Sequence, residues 1–417
     1  MSKSTCPKPL FDSLQNLLNN ELVYELDMDM DNFDDYNYAR EFLLMFRGND
    51  ATFNAYRREV ERLLQWCHIK AHKQLKELRR ADFELYLDFC KNPPKSWIGN
   101  KKVPRFIDAN GKRIPNQDWR PFVVTYSKVE VAKGKISNTD DYSLSEKAFR
   151  EIFSVISSFY NFLIQENHTE INPALQIRQK NKYFRKENKS SHIIRKLSDL
   201  QWGYVIETAE IMAQENPDKH HRTLFIMSAL YGMYLRISEL SASKRWTPTM
   251  GDFFRDPDGL WWFKTIGKGN KERIVSVSND MLKAFKRFRQ SLGLTSLPSP
   301  GDKTPLIPKL TGKGAMKSVR TIRELVQECF DQAAERLKSH GLIDEAEQVM
   351  AATAHWLRHT GISDDVKIRP REHVRDDAGH SSGAITDKYI DVEKRERNAS
   401  AKRKKIVPEC MANDTNQ

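Results

Sequence analysis

The chain has 417 residues, of which 39% are hydrophobic, and its formal net charge of +12 at pH 7 suits a polyanionic partner such as nucleic acid. This length allows two or three domains that each bury a core, and no apolar run approaches the roughly 18 residues of a membrane span. The start, MSKSTCPKPLFDSLQ, lacks the apolar core of a signal peptide, so we expect a cytoplasmic protein, and the widely spaced cysteines disfavour disulfides or structural zinc.

The first part of the chain is predicted to form a helical domain behind an acidic arm. Residues 21–36, ELVYELDMDMDNFDDY, are acidic, and we assign residues 1–38 to an arm that serves as a tether or faces a partner. Helical spacing of apolar residues then predicts a domain over 39–177. Within it, residues 92–142 contain several prolines and glycines, which indicates a long insertion or a mobile loop.

The pattern within this domain also predicts where its last long helix begins. Ser143 and Glu146 have the spacing of a capping box, in which a serine side chain and a glutamate three residues later satisfy each other's backbone N–H groups. We therefore expect a helix that starts with Ser143 as its N-cap.

A basic segment separates this domain from a second one. Residues 178–197 are polar and rich in lysine, which is typical of a solvated linker that could also lie along a phosphate backbone. The candidate DNA contacts in the linker are Lys180, Lys182, Arg185 and Lys186. A second helical domain is predicted over 198–395, interrupted by LWWFKTIGKGNKERIVSVS, where two short strands flank a Gly-Asn turn. Residues 396–417 form a charged tail.

Two segments of the second domain contain polar residues that composition does not explain. YLRISEL places Arg236 in an apolar helix, with Glu239 three residues later and able to hold it. TIGKGNKERIVSV places Lys268 at the end of a strand, and Lys271 and Arg273 after the turn, where they are also candidate DNA contacts. Taken alone, the first segment is most simply explained by an ion pair on a helix surface. The second is most simply explained by an exposed hairpin whose charges favour solubility.

Two further segments contain histidines. In HWLRHTGIS, His355 and His359 stand four apart, as metal ligands on one helix face often do, whereas His355 and Arg358 stand three apart and would face one anion. The segment lacks the glutamate of an HExxH zinc helix, which disfavours the metal interpretation. In AGHSSGAITDKYID, Tyr389 follows His380 by nine residues. Core packing would explain either segment alone.

Taken together and in this order, these residues resemble the Arg–Lys–His-x-x-Arg–His–Tyr signature of the tyrosine recombinases, the family of lambda-type phage integrases and Xer-type recombinases. The matching motifs are LRISEL, IGKGNKER, HxxRHT and GHxxxxxxxxY, within about residues 198–395. FRGNDATFNAYRREVERLLQW is similar, more loosely, to the family's helical core-binding domain. The chain departs from the family at Tyr234, where glycine is usual, in the charged segment 363–380, where leucine is usual, and in the insertion 92–142.

The resemblance implies a mainly α fold with a small antiparallel β-sheet, in two domains that close on DNA as a C-shaped clamp. It implies a site-specific recombinase that works without a cofactor, through a 3′-phosphotyrosyl intermediate and a Holliday junction. The partners would be double-stranded recombination sites held by a homo-tetramer on two duplexes, with accessory DNA-bending or directionality factors as further candidates. The implied catalytic residues are Tyr389, Arg236, Lys268, His355, Arg358 and His380, with Glu239 in support.

The chemistry of phosphoryl transfer suits these residue types, because the reaction depends on positioning and charge stabilisation. The two arginines can clamp the non-bridging oxygens, and His380 can donate to one of them. Tyr389 conserves the energy of the broken bond in a phosphotyrosyl ester. Lys268 would protonate the leaving oxygen, and His355 would accept or position the tyrosine proton. His359 is assigned no catalytic role.

Three alternatives remain open on the sequence. A type IB topoisomerase uses the same active-site chemistry but relaxes supercoils as a monomer. A DNA-binding accessory protein with an idle catalytic domain would bind without cleaving, and a metal-dependent hydrolase would lose activity with a chelator. Integration, excision and dimer resolution are all compatible with the motifs.

Overall fold

The structure is a computed structural model that describes residues 6–18, 30–109, 112–178, 195–244, 246–267, 271–380 and 383. The chain divides into two compact units, Met1–Lys189 and Ser190–Gln417. Both consist mainly of helices with small sheets, so the expectation of a mainly helical fold is confirmed. In the described ranges, no helix is both long enough and apolar enough to cross a membrane. The four linker candidates, Lys180, Lys182, Arg185 and Lys186, and the charged tail lie outside the described residues.

The described part of the first unit is built around long amphipathic helices. Its helices are α1 (Leu14–Leu18), α2 (Met30–Leu44), α3 (Asp50–Trp66), α4 (Arg80–Lys91), α5 (Lys128–Ala132), α6 (Glu146–Gln165) and α7 (Pro173–Arg178). Its strands are β1 (Ile98–Gly99), β2 (Phe106–Ala109), β3 (Lys112–Pro115) and β4 (Phe122–Val123). Aromatic rings fill the centre: the Phe42 ring of α2 lies 5.0 Å from that of Phe159 on α6 and 5.7 Å from that of Tyr56 on α3.

The arm differs from its prediction in the parts that the structure describes. Phe11 is fully buried, and burying such a side chain contributes about 1.5–3 kcal/mol. The Glu61 carboxylate of α3 accepts the N–H groups of Leu10, at 2.6 Å, and Phe11, at 3.1 Å. Asp35, which the sequence placed in the acidic arm, is buried in α2 and accepts the N–H of Leu75 at 2.8 Å. These segments belong to the helical unit because their buried acids have partners far away in sequence.

The described part of residues 92–142, predicted as an insertion or a mobile loop, contains strands β1 to β4 and helix α5, and individual residues of this segment contact α3. Strand β1 pairs with β4 in parallel, and β2 pairs with β3 as an antiparallel hairpin. Trp97 and Phe122 are buried. The Arg62 guanidinium of α3 lies 4.5 Å from the centre of the Phe122 ring and donates to the Pro121 carbonyl at 2.9 Å. Long-range aromatic and guanidinium contacts therefore organise a segment that has little periodicity.

The prediction for the start of α6 was wrong by two residues. The N-cap is Ser145, whose hydroxyl accepts the N–H of Ala148 at 3.2 Å, and Glu146 is the first residue of the helix. A capping-box glutamate must be the third helical residue, so Glu146 cannot pair with Ser143 in this way.

The second unit packs helices around a three-stranded antiparallel sheet. Its described helices are α8 (Asp199–Glu215), α9 (Pro217–Gly232), α10 (Asn279–Ser291), α11 (Val319–Ser339), α12 (Ile343–Ala351), α13 (Ala354–Asp365) and α14 (Arg371–Ala378). Its described strands are β5 (Phe253–Arg255), β6 (Trp261–Ile266) and β7 (Glu272–Ser276), in the order β5-β6-β7. The predicted hairpin is β6–β7, where Ile266 pairs with Glu272. The Phe253 and Phe285 rings stack 3.9 Å apart and join the sheet to α10.

Candidate active site

Arg236 lies in a turn after α9, and the prediction that it sits inside a helix was wrong. Helix α9 ends at Gly232, and Tyr234 adopts a left-handed conformation with a φ of 50°. Arg236 itself has an extended backbone, with φ −78° and ψ 143°, and it caps the short helical turn Ile237–Glu239. A left-handed residue cannot continue a right-handed helix, so the chain leaves the direction of α9 before it reaches Arg236.

Glu239 holds two arginines at this turn. Its carboxylate is 1% exposed and accepts the Arg236 backbone N–H at 2.8 Å and the Arg236 guanidinium at 3.1 Å. It also accepts both terminal nitrogens of Arg273, at 2.6 and 2.8 Å. Burial acts to raise the pKa of Glu239, but the hydrogen bonds and charge of Arg273, followed by those of Arg236, outweigh it and lower the pKa overall. Glu239 is therefore an ionised support for the Arg236 side chain.

Arg273 differs from its predicted role as a DNA contact. Its side chain is 10% exposed on β7, and besides Glu239 it binds the backbone carbonyl of Asp377, to which its Nε donates at 3.0 Å. This internal ion pair corrects the predicted DNA contact, because the guanidinium is held inside the unit. Lys271, the other hairpin candidate, is exposed.

Helix α13 presents Arg358 to the same turn. Arg358 is 2% exposed; one terminal nitrogen donates to the backbone carbonyl of Tyr234 and the other to that of Ala378, at 2.6 Å. Helix α13 can approach α9 this closely because its residue 361 is glycine: a Cβ at Gly361 would overlap the carbonyl oxygen of Tyr231. Arg358 thus ties the Arg236 turn to the end of α14.

The histidines of the predicted set lie beside these arginines. Desolvation by the surrounding protein, followed by the charges of Arg358 and Arg236, lowers the pKa of His355. Burial, followed by the charges of Arg358, Arg236 and Arg273, lowers the pKa of His380 to about 4. Both imidazoles are therefore neutral at pH 7. Both also lie close enough to Arg236 and Arg358 for these charges to lower their pKa.

The second histidine of α13, His359, packs against the first, His355. The rings of His355 and His359 are 4.2 Å apart and nearly perpendicular. Burial, followed by the charges of His355, Arg358 and His380, lowers the pKa of His359 to about 4. No group of three or more His, Cys, Asp or Glu side chains suited to a metal ion occurs among the residues that the structure describes.

Lys268 and Tyr389 lie outside the described residues. The residue before Lys268 is described, however, and it abuts the arginine cluster. A Cβ at Gly267 would lie 3.1 Å from a carboxylate oxygen of Glu239 and 3.3 Å from a terminal nitrogen of Arg236. The β6–β7 turn therefore begins against the Arg236–Glu239 pair.

The sequence analysis missed a polar network behind this site. The Tyr234 hydroxyl donates to Asp365 and accepts from Arg369 at 2.9 Å. Arg369 also donates to Asp377 at 2.6 Å, and Asp377 accepts the backbone N–H of Ser276 at 3.0 Å. The sequence signal for this network was the pair of departures from the family pattern, at Tyr234 and in the charged segment 363–380, because the network links these two parts of the chain.

Comparison with known proteins identifies tyrosine recombinases as relatives, although no protein-family model matches the chain. The tyrosine recombinase XerD of Rickettsia bellii is 29% identical over 166 residues, which are 39% of this chain and 50% of the relative. The tyrosine recombinase XerC of Thermodesulfovibrio yellowstonii is 24% identical over 319 residues, 72% of this chain and 91% of the relative. The chain spans only about half the length of the Rickettsia relatives that it matches.

Among solved structures, the XerH site-specific recombinase bound to the palindromic difH substrate, a post-cleavage complex, matches with a TM-score of 0.50 and 15% identity. The match covers 95% of this chain and 99% of that chain. At this identity it supports the fold alone. The XerD and XerC relatives confirm the resemblance to tyrosine recombinases that the motifs predicted.

Proposed function

We propose that this chain, a relative of the tyrosine recombinases, is a site-specific DNA recombinase that cleaves and rejoins DNA through a 3′-phosphotyrosyl intermediate. The observation that carries the proposal is the gathering of Arg236, Arg358, His355 and His380 within one unit. Arg358 donates to the carbonyl of Tyr234, two residues before Arg236, and both arginines lower the pKa of both histidines. Two permanent cations beside two neutral imidazoles suit an anionic phosphodiester.

In the proposed reaction, the Tyr389 hydroxyl oxygen attacks the phosphorus and the bond to the 5′ oxygen breaks. The tyrosine proton passes to His355, which is neutral at pH 7 and can accept it. The leaving oxygen takes a proton from Lys268, while Arg236, Arg358 and a hydrogen bond from His380 offset the charge on the non-bridging oxygens. The reverse reaction rejoins the strand without an external energy source, because the phosphotyrosyl ester retains the energy of the broken bond.

The remaining parts of the chain have proposed roles in holding DNA. Residues 198–395 would be the catalytic domain and 39–177 the core-binding domain of a C-shaped clamp. The linker 178–197 would run along the phosphate backbone, with contacts from Lys180, Lys182, Arg185 and Lys186, and Lys271 would add a contact from the hairpin. The net charge of +12 supports a polyanionic partner.

The proposed assembly is a homo-tetramer that grips two duplexes and exchanges strands through a Holliday junction. The tail 396–417 would dock on a neighbouring protomer. We expect the protein to act in the cytoplasm without a cofactor, with accessory DNA-bending or directionality factors as further candidate partners. Integration, excision and dimer resolution would all use this chemistry.

The test is to capture the covalent intermediate. The full chain is incubated with fragmented genomic DNA from its own cell, denatured and purified, and the DNA that remains attached is sequenced. We expect one recurrent sequence, attached through its 3′ end to the wild type and to a Tyr204→Phe control. Tyr389→Phe should bind DNA and form no adduct, because it lacks only the phenolic oxygen.

Two results would contradict the proposal. An adduct with Tyr389→Phe that survives denaturation would exclude Tyr389 as the nucleophile. Relaxation of a supercoiled plasmid without the recovered sequence, by a monomer, would favour a type IB topoisomerase.

A further inference from the structure

Tyr234 has an unusual backbone for its size. It is 1% exposed, and its φ of 50° lies in the left-handed region that bulky L residues rarely adopt. Such a conformation persists only where surrounding contacts impose it, and it often marks a functional position. Here it turns the carbonyl of Tyr234 towards Arg358, which donates to it.

The side chain of Tyr234 is held at its far end by two charged groups. Its hydroxyl donates to the Asp365 carboxylate and accepts from the Arg369 guanidinium at 2.9 Å. Arg369 also bonds to Asp365 at 3.1 Å, which closes a three-membered cluster. The ring packs with Ile362 and Val374, in a small apolar cluster between α13 and α14. The residue is thus fixed by its hydroxyl and by its ring.

Arg369 extends the cluster to the sheet. It donates to the Asp377 carboxylate at 2.6 Å and to the Ser276 hydroxyl at 3.1 Å. Asp377 in turn accepts the Ser276 N–H at 3.0 Å and the Ser276 hydroxyl. Strand β7, helix α14, the end of α13 and the turn after α9 are therefore joined through one arginine.

We propose that Tyr234 and Arg369 are positioning residues that aim the guanidinium of Arg358 at the reacting phosphate. The inference rests on the proposed function. Arg358 is 2% exposed, so the protein and not water orients it, and both carbonyls that hold it belong to elements joined by the network. One is the carbonyl of Tyr234, and the other, that of Ala378, follows Asp377 directly. Hydrogen bonds are directional, whereas apolar packing is not, so the network fixes an angle as well as a distance.

The same network explains both departures from the family pattern in this unit. A leucine-rich helix would hold α14 by apolar contact, and glycine would adopt the left-handed conformation without help. In this chain, Asp365, Arg369 and Asp377 hold α14 by charge, and Tyr234 accepts the strained conformation because its hydroxyl joins that cluster. The two departures therefore act together, and neither should be tolerated alone.

The test compares two synthetic duplexes with the sequence recovered from the covalent adduct. One has a phosphodiester at the cleaved position and the other a methylphosphonate, in which a methyl group replaces one charged oxygen. The neutral phosphonate no longer needs a cation, so Arg358→Ala should be slower by on the order of 10²–10³ on the phosphodiester and close to wild type on the phosphonate. Tyr234→Phe should show the same substrate-dependent pattern, with a loss of about tenfold to a hundredfold on the phosphodiester.

A matched control is the neighbouring Tyr231→Phe. The Tyr231 hydroxyl donates to Asp364 at 3.1 Å, so this variant also loses a tyrosine–aspartate hydrogen bond between α9 and α13. It should cleave both duplexes as the wild type does. If Tyr234→Phe melts at a lower temperature than Tyr231→Phe, Arg369→Gln tests the same network without a change at Tyr234.

The outcomes separate the two proposals. Equal slowing of Tyr234→Phe and Arg369→Gln on both duplexes would mean a general structural defect and would overturn the positioning role, as would wild-type rates for both. If the wild type forms no adduct with either duplex, the proposed recombinase function is wrong and the positioning role falls with it.

Discussion

Each unit contains an arginine that donates to two backbone carbonyls, and the surroundings of the two arginines differ. In the first unit, Arg57 binds the carbonyls of Phe11 and Asp12, and so fastens the N-terminal segment to α3. In the second, Arg358 binds the carbonyls of Tyr234 and Ala378. The hydrogen bonds are of the same kind, so they alone cannot tell a structural arginine from one in an active site.

The neighbouring charges distinguish them. Burial and the charge of Arg105 lower the pKa of Arg57 to about 10, whereas Glu61 and Asp12 act to raise it. Two carboxylates therefore act on Arg57, that of Asp12 in the segment that it holds and that of Glu61 on α3. Arg358 instead lies with Arg236 and with histidines whose pKa the two arginines depress. Carbonyl acceptors orient a guanidinium, and the two that Arg358 binds fix its direction beside Arg236 and these histidines.

The largest expected effect comes from replacing each arginine with lysine. Arg358→Lys keeps the charge but loses the planar fork, so adduct formation on saturating DNA should be slower by on the order of 10²–10³. Arg57→Lys should cleave at the wild-type rate and loosen residues 6–18, seen as faster hydrogen exchange in that segment. The comparison fails if the two variants cleave at the same rate.

A smaller effect is expected from the carboxylate of the first unit. Glu61→Gln removes the charge that faces Arg105 and weakens the bonds from the N–H groups of Leu10 and Phe11. Hydrogen bonds to charged groups contribute about 1.5–3 kcal/mol, so the free energy of urea unfolding of the first unit, measured on the full chain, should fall by about that amount. Glu84→Gln, which breaks the exposed pair with Arg80, should cost no more than about 1 kcal/mol. Equal losses for the two variants would show that Glu61 does not hold the segment.

The smallest expected effect is on the pH dependence of stability. The pKa of His380 is about 4 in the folded chain, against an ordinary value of 6.5 when unfolded. Between these values the unfolded chain binds more protons, so this contribution to stability is complete above 6.5 and is lost as the pH falls to about 4. Thermal melting across this interval should show a weaker pH dependence in His380→Asn than in the wild type. An unchanged slope would mean that His380 is not desolvated in the folded protein.

Much of the candidate site could be predicted from the sequence, because its signals are local. The spacing of His355 and Arg358 sets them on one face of a helix, and a Gly-Asn turn between β-rich runs predicts a hairpin. The motif order carried the resemblance to tyrosine recombinases, and the relatives confirm it. The helix face and the hairpin depend on residues within a few positions of one another, where backbone geometry alone relates sequence to structure.

Only the tertiary structure decided which charged side chains pair with other groups of the protein instead of facing solvent. Arg273 was predicted to be a surface cation of the hairpin, but its guanidinium donates to the carboxylate of Glu239, 34 positions away. Asp35 was assigned to an arm that serves as a tether or faces a partner, but it binds His168 across 133 positions. A charged side chain is expensive to bury without a partner, and the identity of that partner depends on which elements pack together. Sequence periodicity gives the face of an element, but the packing of distant elements determines whether a charge on that face meets water, a carboxylate or a phosphate.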